Sequence, residues 1–128
     1  MEKNDVVNHP KHYTSGFETE PVECIMITRH LSFCAGNAFK YVWRAGLKGD
    51  TLEDLNKALW YILDIIHQEG QDSFNSASPA AIAAFGFVKK DDSYKYEILR
   101  DIVHHQFCSA YSWLKQTIDG FTESDKEN

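Results

Sequence analysis

Asp50-Thr51-Leu52-Glu53-Asp54-Leu55-Asn56-Lys57-Ala58-Leu59-Trp60-Tyr61-Ile62-Leu63-Asp64-Ile65-Ile66-His67 decides the fold. Leu52, Leu55, Leu59, Ile62 and Ile66 recur at alternating spacings of three and four, the repeat of one face of an α-helix. Asp50 or Thr51 is placed to cap its start, and Glu53 or Asp54 follows as the acid of a capping box. The pattern stops near Gly70. Upstream, Ser32 can cap another helix over about 33–45, which Gly46 ends. Leu47-Lys48-Gly49 is then a short turn. Helices over about 33–45 and 51–68 should therefore pair as an antiparallel hairpin.

The segments around the hairpin are less regular. Residues 1–20 keep no steady period, and Asn8-His9-Pro10, Ser15-Gly16 and Pro21 interrupt regular structure, which predicts an irregular N-terminal arm. Pro21 fits the first turn of a helix over about 21–30, with Val22, Cys24-Ile25 and Ile27-Thr28 as its apolar side. Residues 71–78 are small and polar, a linker. Ser78-Pro79 opens a short helix that Gly86 closes. Asp91-Asp92-Ser93 can cap a long final helix over about 93–118, with Leu99, Ile102-Val103, Gln106-Phe107, Ala110, Trp113-Leu114 and Thr117-Ile118 as its stripe. Gly120 should end it, and the polar tail from Thr122 is expected to be disordered. Met26 and Trp113 are core candidates.

The expected fold is all-α: the hairpin, packed with a long C-terminal helix, behind an irregular N-terminal arm. Its expected division is an arm (1–20), a site-bearing helical segment (21–70), a C-terminal extension (71–121) and a tail (122–128), in one domain. A chain of 128 residues is long enough to bury a real core.

With 43% apolar and 25% charged residues the chain reads as an ordinary soluble protein, and no apolar run approaches the ~20 residues of a membrane span. Met1 to Asp5 show no signal-peptide core, and Cys24, Cys34 and Cys108 are odd in number and far apart. Free thiols and a cytoplasmic location are the expectation. Net charge is −6, with seven Lys/Arg against eight Asp/Glu in residues 1–60 and six against eleven in 61–128. A long nucleic acid needs a broad basic face, which this balance excludes. A small anion needs only a local cluster.

Residues 36–49, Gly-Asn-Ala-Phe-Lys-Tyr-Val-Trp-Arg-Ala-Gly-Leu-Lys-Gly, hold such a cluster. Asn37, Lys40 or Tyr41, Arg44 and then Lys48 fall on one helical face, beside aromatic rings. The plain alternative is a solvated basic face whose last cations suit the helix C-terminus. The aromatic company and the bracketing glycines favour a site for an anion with a planar group, which describes a nucleotide. On the following helix Asp54, Lys57 and Tyr61 share the polar side, with Asp64 one turn on. There Asp54 can orient Arg44 or hold a cation on a phosphate, or merely compensate the helix dipole.

Asn8-His9-Pro10-Lys11-His12-Tyr13 is a second constellation. Two histidines at this spacing plus a Cys24 or Cys34 thiolate could begin a zinc site, but no second pair completes it. A loop that packs His9, His12 and Tyr13 on a phosphate or base is the better expectation, with either His able to move a proton. His104-His105 point about 100° apart and read as surface residues, and Cys34 as a buried, inert thiol. Gly46-Leu47-Lys48-Gly49 is not a Walker loop, and no GxGxxG follows a strand.

The series Val7-Asn8-His9-Pro10-x-His12-Tyr13, Gly16, Glu23-Cys24, Phe33-Cys34-x-Gly36-Asn37-Ala38-x-Lys40-Tyr41-x-Trp43-Arg44-Ala45-Gly46-x-Lys48-Gly49 and Glu53-Asp54-Leu55-x-Lys57-Ala58-x-Trp60-Tyr61 resembles a small phage-protein family, DUF3310. Its best characterised kind is the nucleotide kinase of short-tailed, T7-like phages. The resemblance covers about residues 6–66 and is specific in order and spacing. It implies phosphoryl transfer from a nucleoside triphosphate to a deoxynucleoside monophosphate without a P-loop, in the cytoplasm of an infected bacterium. Arg44, Asp54, His9 and His12 are then the catalytic candidates. Asn8, Tyr13, Asn37, Lys40, Tyr41, Lys48, Lys57 and Tyr61 join Arg44 as nucleotide-binding candidates. No cofactor is expected to be tightly bound. Magnesium would enter with the triphosphate donor or on Asp54.

A weaker likeness joins Glu53-Asp54-Leu55 and Leu59-Trp60-Tyr61 to the acidic helix of all-α, MazG-like NTP pyrophosphohydrolases. This chain lacks their paired Glu-x-x-Glu, to which Glu20 and Glu23 are the nearest approach. A third expectation is non-catalytic: nucleotide sequestration, or docking on an acidic host protein. Apolar surface stripes on a small chain suggest a homo-oligomer.

Overall fold

The computed structural model describes residues 22–68 and 76–127. Among them are six helices and no strand: α1 (Cys24–Thr28), α2 (Phe33–Arg44), α3 (Thr51–His67), α4 (Pro79–Phe85), α5 (Tyr94–Val103) and α6 (Phe107–Glu127). The fold is all-α. None of the described helices is long and apolar enough to cross a membrane.

Four helices begin at the residue the sequence offers as a cap. The side chains of Ser32, Asp50, Ser78 and Ser93 accept from the amides of Ala35, Glu53, Ala81 and Tyr96, all at 3.1–3.2 Å. Each such cap contributes about 0.5–2 kcal/mol by satisfying an otherwise orphaned N–H. Between α2 and α3 the chain reverses through Gly46 at φ 85° and Gly49 at φ 73°, left-handed conformations that glycine adopts without a Cβ penalty. The two helices pack along their length as the expected hairpin.

The buried residues of the hairpin and the C-terminal helices form one core cluster. From α2 it takes Ala35, Ala38, Phe39, Val42 and Trp43; Phe39 stacks on Trp43 at 5.7 Å and meets Phe85 of α4 edge-on at 6.3 Å. From α3 it takes Leu55, Ala58, Ile62 and Ile65. That line is rotated from the predicted one: Leu52, Leu59 and Ile66 are only half-buried at its margin. The rotation follows from α3 packing against both α2 and α6, which widens its buried arc.

Several expectations need correction. The long helix over 93–118 is two helices that pack on each other, α5 and α6, parted at His104–Gln106. His105 sits at φ 59°, its N–H bonds the carbonyl of Ile102 at 3.1 Å, and the N–H of Gln106 bonds that of Asp101 at 2.7 Å. That is the Schellman closure of a helix, built with His where glycine is usual. Gly120 does not end α6, which runs on to Glu127. The helix predicted over 21–30 is the short α1, because the chain must straighten at Ser32 to cap α2. Met26 and Trp113 lie at the surface, 45% and 38% exposed. The buried line of α6 is Phe107, Ala110, Leu114 and Ile118, and Trp113 falls one residue off it.

Candidate functional site

The hairpin's open face collects the polar and aromatic side chains that the core leaves over. Tyr41 of α2 stacks on Tyr61 of α3, rings 6.2 Å apart and 13° from parallel. The Lys40 ammonium lies 4.7 Å from the centre of the Tyr41 ring, and the Lys57 ammonium 5.4 Å from it. Two cations from two helices thus share one aromatic ring, a contact worth about 0.5–1 kcal/mol each at an exposed site. Lys57 also pairs with Glu53 at 3.4 Å.

Toward the turn, Arg44 faces Asp54, Nε to Oδ2 at 3.4 Å. That distance is long for a charge-assisted hydrogen bond, and neither of these two buried atoms forms one. The two charges attract without a well-aligned bond. Asp54 is nearly fully buried, while the Arg44 side chain keeps 27% of its exposure. Burial pushes the Asp54 carboxyl above its ordinary value of 3.8; the neighbouring Arg44, and then Lys57, oppose the shift without cancelling it.

Lys95 of α5 closes the end of α2 from behind. Its ammonium donates to the carbonyls of Trp43 and Ala45 at 2.7 and 2.9 Å. Burial lowers its pKa to about 8, against the pull of Asp91 and Asp54. Sequence reasoning missed this residue.

The predicted side chains that fall among the described residues each have a definite place. Lys40, Tyr41, Arg44, Asp54, Lys57 and Tyr61 come together on the α2–α3 face. The Asn37 amide is already used, donating to the carbonyl of Phe33 at 2.8 Å within α2. Lys48 is not on the helical stripe: α2 ends at Arg44, and Lys48 is exposed in the turn. Asn8, His9, His12, Tyr13 and Glu20 lie outside the described residues. Glu23 is the N-cap of α1. His104 and His105 are exposed and half-exposed, as surface residues should be.

The thiols divide by environment. Cys24 is buried and pushed up to about 12 by burial, with Lys40 opposing, so it is inert as a nucleophile and poor as a metal ligand. Cys34 is half-buried rather than buried, and donates to Asp64 at 3.4 Å. A protein-held magnesium would need several free carboxylate oxygens. Asp54 faces Arg44, Glu53 pairs with Lys57, and no group of three His, Cys, Asp or Glu side chains gathers among the described residues. These side chains do not fit such an ion.

Two aromatic residues that the sequence reasoning assigned no role belong to the same face. Phe33 is 76% exposed and Trp60 63% exposed. Both meet Tyr61 edge-on, at 6.1 and 5.1 Å. Their signal in the sequence was position: each sits one turn or less from a predicted site residue on its own helix.

Residues 7–63 match the family described as "Protein of unknown function (DUF3310)". That segment contains α1, α2 and most of α3, hence every described residue of the candidate site except Lys95. No curated protein and no solved structure matches the chain.

Proposed function

We propose that this chain binds a nucleotide on the α2–α3 face and acts as a nucleotide kinase of the kind found in T7-like phages. The observation that carries the reading is the shared Tyr41 ring: Lys40 and Lys57 converge on it from two helices, beside the Arg44–Asp54 pair. Positive charge next to an aromatic stack suits a ligand that is anionic at one end and planar at the other.

In the transfer, an oxygen of the acceptor monophosphate forms a bond to the γ-phosphorus of the donor. The bond to the β,γ-bridging oxygen breaks, and a nucleoside diphosphate leaves. Charge spreads over the three peripheral oxygens of the transferred group, so catalysis rests on positioning and on cations already in place. Lys40 and Lys57 supply those cations, with Lys48, exposed in the turn, as a third. Asp54 holds Arg44 against the turn and so fixes where its guanidinium points. His9 and His12 are the candidates for handling a proton, and Asn8 and Tyr13 for closing over the ligand. The pyrophosphohydrolase alternative is less favoured, because it needs acidic side chains free to face a cation, and Asp54 and Glu53 each face a basic partner.

The test is product analysis. Labelled deoxynucleoside monophosphates are incubated with a nucleoside triphosphate and magnesium and resolved by chromatography. A labelled diphosphate supports the kinase, release of pyrophosphate supports the hydrolase, and binding without turnover leaves a sequestering protein. Lys40→Ala and Arg44→Ala should each weaken nucleotide binding about 10- to 100-fold, the scale of one charge-assisted bond, with helical circular dichroism unchanged. Wild-type affinity in both variants would remove this face from consideration.

A further inference from the structure

Single exposed hydrophobic side chains are ordinary. Phe33 and Trp60 differ from that background in arrangement. They come from different helices, yet each sets its ring against the same neighbour, Tyr61, at interplanar angles of 74° and 86°. Tyr61 in turn stacks on Tyr41, the ring under the two ammonium groups. One surface therefore runs from open aromatic rings to paired cations.

We infer that Phe33 and Trp60 are the base-binding half of the site: the nucleobase stacks on the exposed face of one of these two rings, beside Tyr61, and the phosphates lie toward Lys40 and Lys57. This rests on the nucleotide reading and adds to it the residues that hold the base. Charge complementarity selects this occupant, because a purely apolar partner would leave the neighbouring ammonium groups poorly solvated. Phe33 also walls a groove of about 240 Å³ that reaches Lys40. Tyr61 and Trp60 do not line that groove, so the base is held by stacking on an open face and not by enclosure. Every base has a π-face, and stacking is tolerant of base identity. The site therefore discriminates weakly among bases and recognises nucleotides as a class.

Calorimetric titration separates the two halves. The ligands are dAMP, dTMP, ATP and inorganic tripolyphosphate, which has the phosphates and no base. The proteins are the full chain and its Trp60→Ala, Phe33→Ala, Trp60→Phe and Lys40→Ala variants. Trp60→Ala or Phe33→Ala, whichever removes the stacking ring, should weaken the nucleotides about 5- to 150-fold, the range for one stacked base, and leave tripolyphosphate unchanged. Trp60→Phe should restore most of any loss seen in Trp60→Ala, and Lys40→Ala should weaken all four ligands. Nucleotide affinity unchanged in both Trp60→Ala and Phe33→Ala, but lost in Lys40→Ala, overturns the base assignment and leaves the nucleotide reading standing. Loss of tripolyphosphate in Trp60→Ala also overturns it, since the ring would then act through the fold. A wild-type dimer that Trp60→Ala dissociates, with nucleotide affinity intact, makes a second copy the occupant and overturns it too. If the wild-type chain binds none of the ligands, the nucleotide reading itself fails and the base assignment goes with it.

Discussion

Asp54 and Asp101 are the two buried acids among the described residues, and they are handled differently. Asp101, at the corner between α5 and α6, accepts a 2.6 Å hydrogen bond from the Ser109 hydroxyl, and its own carbonyl takes the Gln106 N–H. Asp54, under the α2–α3 face, has a cation 3.4 Å away and an oxygen that no hydrogen bond satisfies. Buried polar groups in folded proteins are normally bonded, and an exception asks for an explanation. The corner is an internal joint with its partners supplied. The hairpin face keeps an acid and a guanidinium close but incompletely matched, next to exposed aromatic rings and lysines. The proposed nucleotide site would place its ligand beside this incompletely matched pair.

Truncation should expose the contrast most strongly. Asp101→Ala leaves the corner without its cross-link, and a lost buried bond of this kind costs about 1–3 kcal/mol. Asp54→Ala should cost under about 1 kcal/mol, since the freed Arg44 is already 27% exposed and can turn to solvent. It should nevertheless alter nucleotide affinity, which Asp101→Ala should not. Urea denaturation and ligand titration of both variants measure this. If Asp54→Ala proved the more destabilising and left binding unchanged, the two acids would have exchanged roles.

Legibility from sequence also divides between the two regions. The hairpin could be read because its signals are local: Ser32 and Asp50 as caps, Gly46 and Gly49 in the turn, and an apolar repeat at three and four. Much of the face could be read too, because Lys40, Tyr41 and Arg44 share one helix side and Asp54, Lys57 and Tyr61 another. The corner could not. Its Schellman closure uses His105 in a left-handed slot usually marked by glycine, so the apolar stripe appeared to run straight through. Lys95 was equally hidden, because its carbonyl partners stand 52 and 50 residues earlier in the chain. Phe33 and Trp60 carry no sequence mark that tells an outward aromatic on an amphipathic helix from a core one, and only packing shows these two pointing outward.

A titration sharpens the comparison further. Burial raises the pKa of both acids above 3.8, with Arg44 opposing at Asp54 and the Ser109 bond opposing at Asp101. Each folded-state carboxyl then holds its proton more tightly than the unfolded chain does. The stabilising contribution is fully present below the unfolded value and is lost as pH rises through the raised one. Relative to Asp54→Asn and Asp101→Asn, which cannot titrate there, the wild-type chain should therefore gain stability as pH falls from 7 toward 3.8. Urea midpoints across that interval give the difference directly. A gap independent of pH would mean that burial does not raise the pKa of the acid concerned.

The smallest effect belongs to the backbone of the corner. A left-handed non-glycine residue costs roughly 1–2 kcal/mol in conformational strain. Glycine removes that strain but adds about 0.5–1 kcal/mol of chain entropy, and it forfeits the contact of the His105 ring with Phe107 at 5.0 Å. His105→Gly should therefore raise stability by no more than about 1 kcal/mol, with α5 and α6 still separate and nucleotide affinity unchanged. His105→Val at the same position should destabilise, because a β-branched side chain tolerates positive φ poorly. Thermal melts of the pair measure the difference. If both variants melt alike, the break between α5 and α6 is held by the Asp101–Ser109 bond and the packing around it, and the turn geometry at His105 follows from them.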